Sequence, residues 1–241
     1  HHRLEQSVLD GATRVIAVSP LVQDEFKAMT KTPVELITNG YDEEDFKKDV
    51  ELDENFNITH TGLFASDGNP ETLWKVLAQK CEEDEEFRRS LRIRLVGKTD
   101  RESTDSIEAA GLGGNLKDFG YQDHEMAVRE QLNSSILILP LRKEPEYRAV
   151  LPGKLFEYLA SRRPILGIGQ TDGAMARIVG ETGSGVVYDW DDEKKIRAWI
   201  DFCWDEFKND ELHDNTSDIS RFTRRNLTVK LAELLNQITE K

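Results

Sequence analysis

The feature that most constrains this chain is an alternation: a short apolar run, then an amphipathic stretch of helical period, then another apolar run. Short strands alternating with helices produce a mostly parallel sheet with helices packed on its faces. The predicted strands are 14–18, 34–38, 57–61, 92–96, 116–119, 135–139, 164–167 and 185–187. Helices are predicted at 20–29, 70–79, 101–110, 124–133, 152–161, 173–179 and 193–207. Ser19 and Asn69 stand where helix caps are expected, and Pro20, Pro70 and Pro152 suit first helical positions.

The alternation is uneven along the chain. Residues 1–45 hold two strands and one helix, too little to close a sheet unaided, and the charged run 42–54 reads as a solvated linker. Residues 46–210 hold six strands with their helices, enough for a self-sufficient doubly wound, Rossmann-like domain. Residues 211–241 contain a helix over 227–238, whose apolar positions Leu227, Val229, Leu231, Leu234, Leu235 and Ile238 fall largely on one stripe that must be buried. The paired histidines at the start resemble a purification tag and are set aside.

Charge narrows the function. The 241 residues carry 32 basic and 46 acidic side chains, a formal charge of −14. Such a surface repels nucleic acid and anionic lipid, so an anionic ligand needs a locally positive pocket. Cys81 and Cys203 are far apart and lack a CxxC or Cys/His partner, which excludes a disulfide framework, fits a reducing cytosol and leaves two small buried hydrophobes. No metal site and no cofactor is expected. The longest apolar run is too short to cross a bilayer, so a cytoplasmic protein is expected, with peripheral membrane association as an option for a longer parent chain.

In open α/β sheets ligands sit beyond the carboxyl ends of the strands, where helix N-termini favour anions. Three strand-to-helix turns are candidates there. The first runs from Thr61-Gly62 to Asn69-Pro70, with two glycines that let backbone approach a phosphate; an ordinary turn is the alternative. The second is Gly97-Lys98, which could set one cation at the sheet edge or simply end on a surface lysine. The third is Pro152-Gly153-Lys154-Leu155-Phe156-Glu157-Tyr158-Leu159-Ala160. The N–H groups of Gly153 and Lys154 could face a phosphate. Lys154 and Glu157, three apart, project from one face, where a surface salt bridge of about 0.3 kcal/mol is the competing reading.

Taken in order, these segments resemble the retaining glycosyltransferases of GT-B architecture, the family that includes sucrose synthases and bacterial polysaccharide glycosyltransferases. Leu4 to Phe26, with Ala12 to Ser19 inside it, resembles the last strand and helix of that family's acceptor domain, and Val34 to Asp42, with Asn39-Gly40, its inter-domain segment. Thr61-Gly62, Arg94 to Gly97, Gly120-Tyr121, Ile136 to Pro140 and Lys154 to Leu166 follow at the family's spacing. The resemblance implies a C-terminal donor domain that binds a nucleoside diphosphate sugar for transfer to an unknown acceptor in cell-surface polysaccharide assembly. Gly62, Lys98, Gly120, Tyr121, Gly153, Lys154 and Glu157 would form the donor site, with Glu157 on the ribose and Gly120-Tyr121 beside the base. Most of the acceptor half would be missing, so that the fragment alone is inactive and its bared surface invites a homodimer.

Two departures from the family pattern matter. Ala149 stands eight positions before Glu157, where the family often has a sugar-contacting glutamate separated from the second by seven residues. No Arg or Lys occurs between Gly62 and Trp74, where the family holds its diphosphate; Lys98, Arg142, Lys143, Arg148 and Lys154 are the substitutes. These departures keep two alternatives open: a catalytically silent binding or assembly module, and a nucleotide-sugar epimerase of the same architecture.

Overall fold

The computed structural model describes residues 2–47, 50, 53–212, 215 and 217–239. Parts of the predicted linker (48, 49, 51 and 52) and of the C-terminal tail (213, 214, 216, 240 and 241) lie outside the described residues, as does His1.

The chain opens with helix α1 (His2–Gly11), strand β1 (Val15–Ala17), helix α2 (Pro20–Met29) and strand β2 (Val34–Leu36). β1 and β2 pair in parallel, Val15 opposite Val34. α1 is an element that the sequence pattern does not reveal. The six-stranded sheet begins at β3 (Phe56–Thr61), followed by α3 (Glu71–Glu83), α4 (Glu85–Ser90), β4 (Leu91–Val96), α5 (Arg101–Ala109) and β5 (Leu116–Gly120). Then come α6 (His124–Leu132), β6 (Ile136–Pro140), α7 (Gly153–Ser161), β7 (Ile165–Ile168), α8 (Ala174–Thr182), β8 (Gly185–Tyr188) and α9 (Glu193–Lys208). α10 (Arg224–Thr239) closes the described chain.

Every pairing in the large sheet is parallel. Its order is β5-β4-β3-β6-β7-β8, so counting from β3 the strands run 3-2-1-4-5-6, the Rossmann order. The order reverses between β3 and β6, and there the two strands separate early. Their register covers only Ile58↔Ile136 and Thr59↔Leu137, whereas β3 and β4 stay paired from Phe56↔Leu91 to Thr61↔Val96. A crevice therefore opens at the carboxyl end of β3.

Strand alternation builds two cores. Phe56, Ile58, Ile93, Leu95, Ile136 and Ile138 face α3, α4, α5 and α9, where Trp74, Phe87 and Trp204 are buried. Leu137, Leu139 and Ile165 face the opposite way, onto α7 and α8. Cys81 and Cys203 are free and buried, as the sequence suggests. Among the described residues no helix is long and apolar enough to cross a membrane.

Several local expectations need correction. Ser19 precedes α2 but its side chain caps nothing, and its buried hydroxyl has no hydrogen-bond partner. Pro70 and Pro152 are the N-cap residues of α3 and α7, not their first helical residues, and Asn69 instead accepts from Trp74 Nε1 at 2.7 Å. The charged run 42–54 is not simply solvated. Glu43–Phe46 forms a 3-10 turn, and Asp53 pairs with buried Arg94. α10 buries only part of its apolar stripe: Leu234 is buried and Leu227, Leu231 and Ile238 are half-buried, a spacing of four, three and four, while Val229 and Leu235 point to solvent. α10 also ties the two ends of the chain together, because Lys230 donates to Leu36 O at 2.8 Å and Arg224 N–H to Tyr41 O at 2.9 Å.

Candidate functional site

The crevice has a glycine floor. Gly62, Gly97 and Gly120 stand at the ends of β3, β4 and β5, with φ of 89°, 140° and 61°. The first two are glycine for space as well as for backbone angle. A Cβ on Gly97 would lie 2.3 Å from Gly62 O, and one on Gly62 would lie 3.1 Å from Lys154 Nζ. Gly62 N–H donates to Val96 O at 2.7 Å and Gly97 N–H to Gly120 O at 2.8 Å, so the edge is laced backbone to backbone.

α7 forms the opposite wall. Leu155, Phe156, Tyr158 and Leu159 anchor it in the core, which leaves Gly153, Lys154 and Glu157 toward the crevice side. Where α6 opens on an Asp123 carboxylate that accepts from Met126 N–H at 2.8 Å, no side chain among the described residues caps α7. The first N–H groups of α7, at Gly153 and Lys154, have no acceptor among the described residues, and the helix dipole there favours an anion.

Lys154 and Glu157 do not bond each other. Lys154 Nζ reaches across to β3, 2.9 Å from His60 Nε2 and 3.3 Å from Leu63 O. Burial pulls its pKa down from 10.5 to about 8, against the pull of nearby Glu157. Glu157 instead accepts from Gln131 Nε2 at 2.9 Å. Gln131 also donates to Thr61 Oγ1 at 3.0 Å, and Thr61 N–H donates to Tyr158 Oη at 2.9 Å. Because β6 has already turned away, the Tyr158 hydroxyl takes over an acceptor role that a neighbouring strand would otherwise fill. Burial pushes the Tyr158 phenol up to about 12, so it stays neutral.

The remaining expected residues are scattered around this core. Gly153 lines a cleft of about 550 Å³ with Glu157, Thr38, Asn39, Gly40 and Arg224. Lys98 is exposed at the end of β4, and its ammonium has no partner among the described residues. Tyr121 stands out into solvent, 87% exposed, just beyond Gly120. The other three substitute cations are claimed by carboxylates: Arg142 by Asp67 at 2.8 Å, Lys143 by Asp191 at 3.4 Å and Arg148 by Asp172 at 3.0 Å. Of the five, Lys154 is the one that lies against Gly62 and Glu157 together.

Four residues at the crevice escape sequence reading: His60, Gln131, Tyr158 and Arg224. Each of the first three has a partner 70 or more positions away in sequence, and Arg224 reaches the cleft only because α10 folds back on the segment before Tyr41. The one available signal is the polar alternation of Asn57, Thr59 and Thr61, with His60 among them, inside a strand that is wholly buried.

No known family profile and no curated protein matches this sequence. Solved structures do. Sucrose-phosphate synthase from Thermosynechococcus elongatus superposes with a TM-score of 0.73 at 17% identity, over 99% of this chain and 61% of that one. The fold is that of a GT-B Rossmann-like domain. The Anabaena protein HepE, solved in complex with UDP-glucose, gives 0.75 at 18% identity, over 98% of this chain and 67% of its own. The pneumococcal O-GlcNAc transferase GtfA, in complex with UDP and GlcNAc, gives 0.71 at 12% over the whole of this chain and 48% of its own. This chain thus spans about half to two-thirds of the length of these three proteins.

Proposed function

We propose that the chain is the donor-binding part of a glycosyltransferase and holds a nucleoside diphosphate sugar in the crevice between β3 and β6. The observation that carries this reading is the convergence on one spot of the uncapped N-terminus of α7, the Lys154 ammonium and the glycine edge at Gly62. Backbone N–H groups, a helix dipole and a cation aimed at one point suit a diphosphate, and they would stabilise the charge that develops on it as the sugar leaves. Glu157, half-buried and held by Gln131, would accept from the ribose hydroxyls. Gly120 and Tyr121 would border the base, and Lys98 would add positive charge at the rim. The acceptor and the rest of the reacting surface would come from a second domain, since transfer needs both substrates held within reacting distance. We assign the parent protein to cell-surface polysaccharide assembly and expect the 241-residue chain alone to transfer no sugar.

A silent, glycosyltransferase-derived module is the second reading. It is favoured by Ala149 and by the pairing of Arg142, Lys143 and Arg148 with carboxylates, which leaves few free cations for a diphosphate. A thermal-shift screen against UDP, GDP, ADP and their sugars separates the two. A ligand at 100 times its Kd adds about 2.7 kcal/mol of stability, an unmistakable rise in melting temperature. Glu157→Ala should weaken the responding nucleotide by about 1.5–3 kcal/mol with the fold retained. The absence of any shift across the panel would overturn the donor-binding reading in favour of the silent module.

A further inference from the structure

His60 is a histidine inside a buried strand, 2% exposed, and its ring nitrogens meet three polar atoms. Nδ1 lies 3.0 Å from Ile138 O, and Nε2 lies 3.1 Å from Leu63 O and 2.9 Å from Lys154 Nζ. The ring is neutral, because burial and then the adjacent Lys154 charge press its pKa to about 3. A neutral imidazole has one N–H. If Nε2 carried it, Nε2–H could donate to Leu63 O but would also meet the Lys154 ammonium, and the Nδ1 lone pair would face the buried Ile138 carbonyl oxygen. If Nδ1 carries it, Nδ1–H donates to Ile138 O and Nε2 is an acceptor aimed at Lys154. The second arrangement alone gives Nδ1, the Ile138 carbonyl and the Lys154 ammonium each a complementary partner. In it Nε2 and Leu63 O are two acceptors 3.1 Å apart, and Lys154 offsets their repulsion by donating to both. The ring is further oriented by Phe64, edge-on at 4.7 Å between centroids.

Two of the three ammonium N–H groups are thereby used, and the third has no partner among the described residues. We propose that His60 is a positioning residue for the diphosphate: as the Nδ1–H tautomer it fixes the Lys154 ammonium against Gly62, with one N–H left for a phosphate oxygen. The proposal deepens the donor-binding reading and rests on it. The strand supplies the tautomer through the Ile138 carbonyl, and the absence of a side chain at Gly62 supplies the room.

Two substitutions take the imidazole apart. The amide nitrogen of His60→Asn overlies Nδ1 and keeps the bond to Ile138 O, but the acceptor for Lys154 is lost. The amide oxygen of His60→Gln falls at the ε position and keeps the acceptor. With the full chain and UDP as probe, calorimetry should show His60→Asn losing affinity about tenfold or more and His60→Gln recovering most of it. His60→Asn should add nothing further in a Lys154→Met background, and binding of uridine, which has no phosphate, should not change. Melting temperatures of all variants identify any that fail to fold. Losses additive with Lys154→Met, or a parallel loss of uridine binding, would overturn the assignment. A separate arm needs no ligand: two-bond 1H–15N correlation spectra of His60 should show the Nδ1–H form at neutral pH, and an Nε2–H or doubly protonated ring sinks the proposal. If the wild-type chain binds none of UDP, GDP and ADP, the nucleotide reading falls, and the spectrum alone decides whether His60 holds Lys154.

Discussion

On one face of β3, Phe56 and Ile58 are wholly buried against Phe87, Trp204 and Phe207; on the other, Asn57, Thr59 and Thr61 are equally buried but meet hydrogen-bonding partners. Asn57 donates to Asn133 O at 3.3 Å, Ser134 donates to Thr59 Oγ1 at 2.6 Å, and Gln131 donates to Thr61. Arg94, on neighbouring β4, extends the polar face with ion pairs to Asp53 and Glu130. The apolar face gains from area alone and tolerates some exchange of shape. The polar face gains little net energy per bond, yet any broken bond leaves a buried group without a partner. The difference teaches where specificity resides: the polar face leads from the sheet interior to Gln131, Glu157 and Tyr158 at the crevice.

Removing apolar volume should therefore give the largest loss. Phe56→Ala takes away a ring that touches three other aromatic residues and should cost about 3–5 kcal/mol, read as a fall in the urea midpoint. A loss below about 1 kcal/mol would mean that the apolar face can collapse around the gap and is not close-packed.

The ion pairs on the polar face predict a pH dependence. Burial of Asp53 works against its charge, but hydrogen bonds from Asn55 and the Arg94 guanidinium outweigh it and hold the carboxyl at about 2, below the usual 3.8. A carboxylate depressed in the folded state stabilises it above the unfolded pKa and loses that contribution as pH falls. The chain should lose stability from about pH 4 toward pH 2, and Asp53→Asn should flatten that limb while costing about 2–3 kcal/mol at neutral pH. An unchanged acid limb in Asp53→Asn would show that other carboxylates govern it.

Tyr158→Phe tests the face at its outer end. It deletes the one atom that accepts from Thr61 N–H and leaves that N–H buried, for a cost of about 1–2 kcal/mol. Hydrogen exchange at Thr61 should accelerate by more than exchange at Ile58 in the middle of the strand. Equal acceleration at both would mean that the strand opens as a unit and that the hydroxyl is not what holds its end.

Reading the chain without coordinates works where periodicity is the cause. The run from Ile136 to Pro140 can only be a buried strand, and β3 to β8 follow from such runs. α4 carries one buried apolar residue, Phe87, in six and owes its place to the Asp84 cap, so no period announces it. Lys154 and Glu157 are legible because a turn and a helix start sit side by side in sequence. His60 is not, because its meaning depends on the Ile138 carbonyl and on a lysine 94 residues away. The stripe on α10 is covered only in part, since a helical pattern says which residues align but not how much surface there is to cover them.

The smallest expected effect lies outside β3, in the loop that follows β6. Arg142 and Asp67 bond at 2.8 Å across the mouth of the crevice, and their side chains are 40% and 42% exposed. Exposed pairs of this kind contribute from nothing to about 1 kcal/mol and are screened by salt. The loop has other ties: Leu141 N–H donates to Ile168 O at 2.8 Å, and the Trp190 indole donates to Leu141 O at 2.9 Å. Arg142 also rests 5.3 Å from the Tyr147 ring, an interaction that survives removal of the carboxylate. Asp67→Asn should thus move stability by less than about 0.5 kcal/mol, and 1 M salt should erase what remains. A loss above about 1 kcal/mol that persists in high salt would show the pair to be a clasp between the loops after β3 and β6, and the division between a structural interior and a replaceable rim would have to be redrawn there.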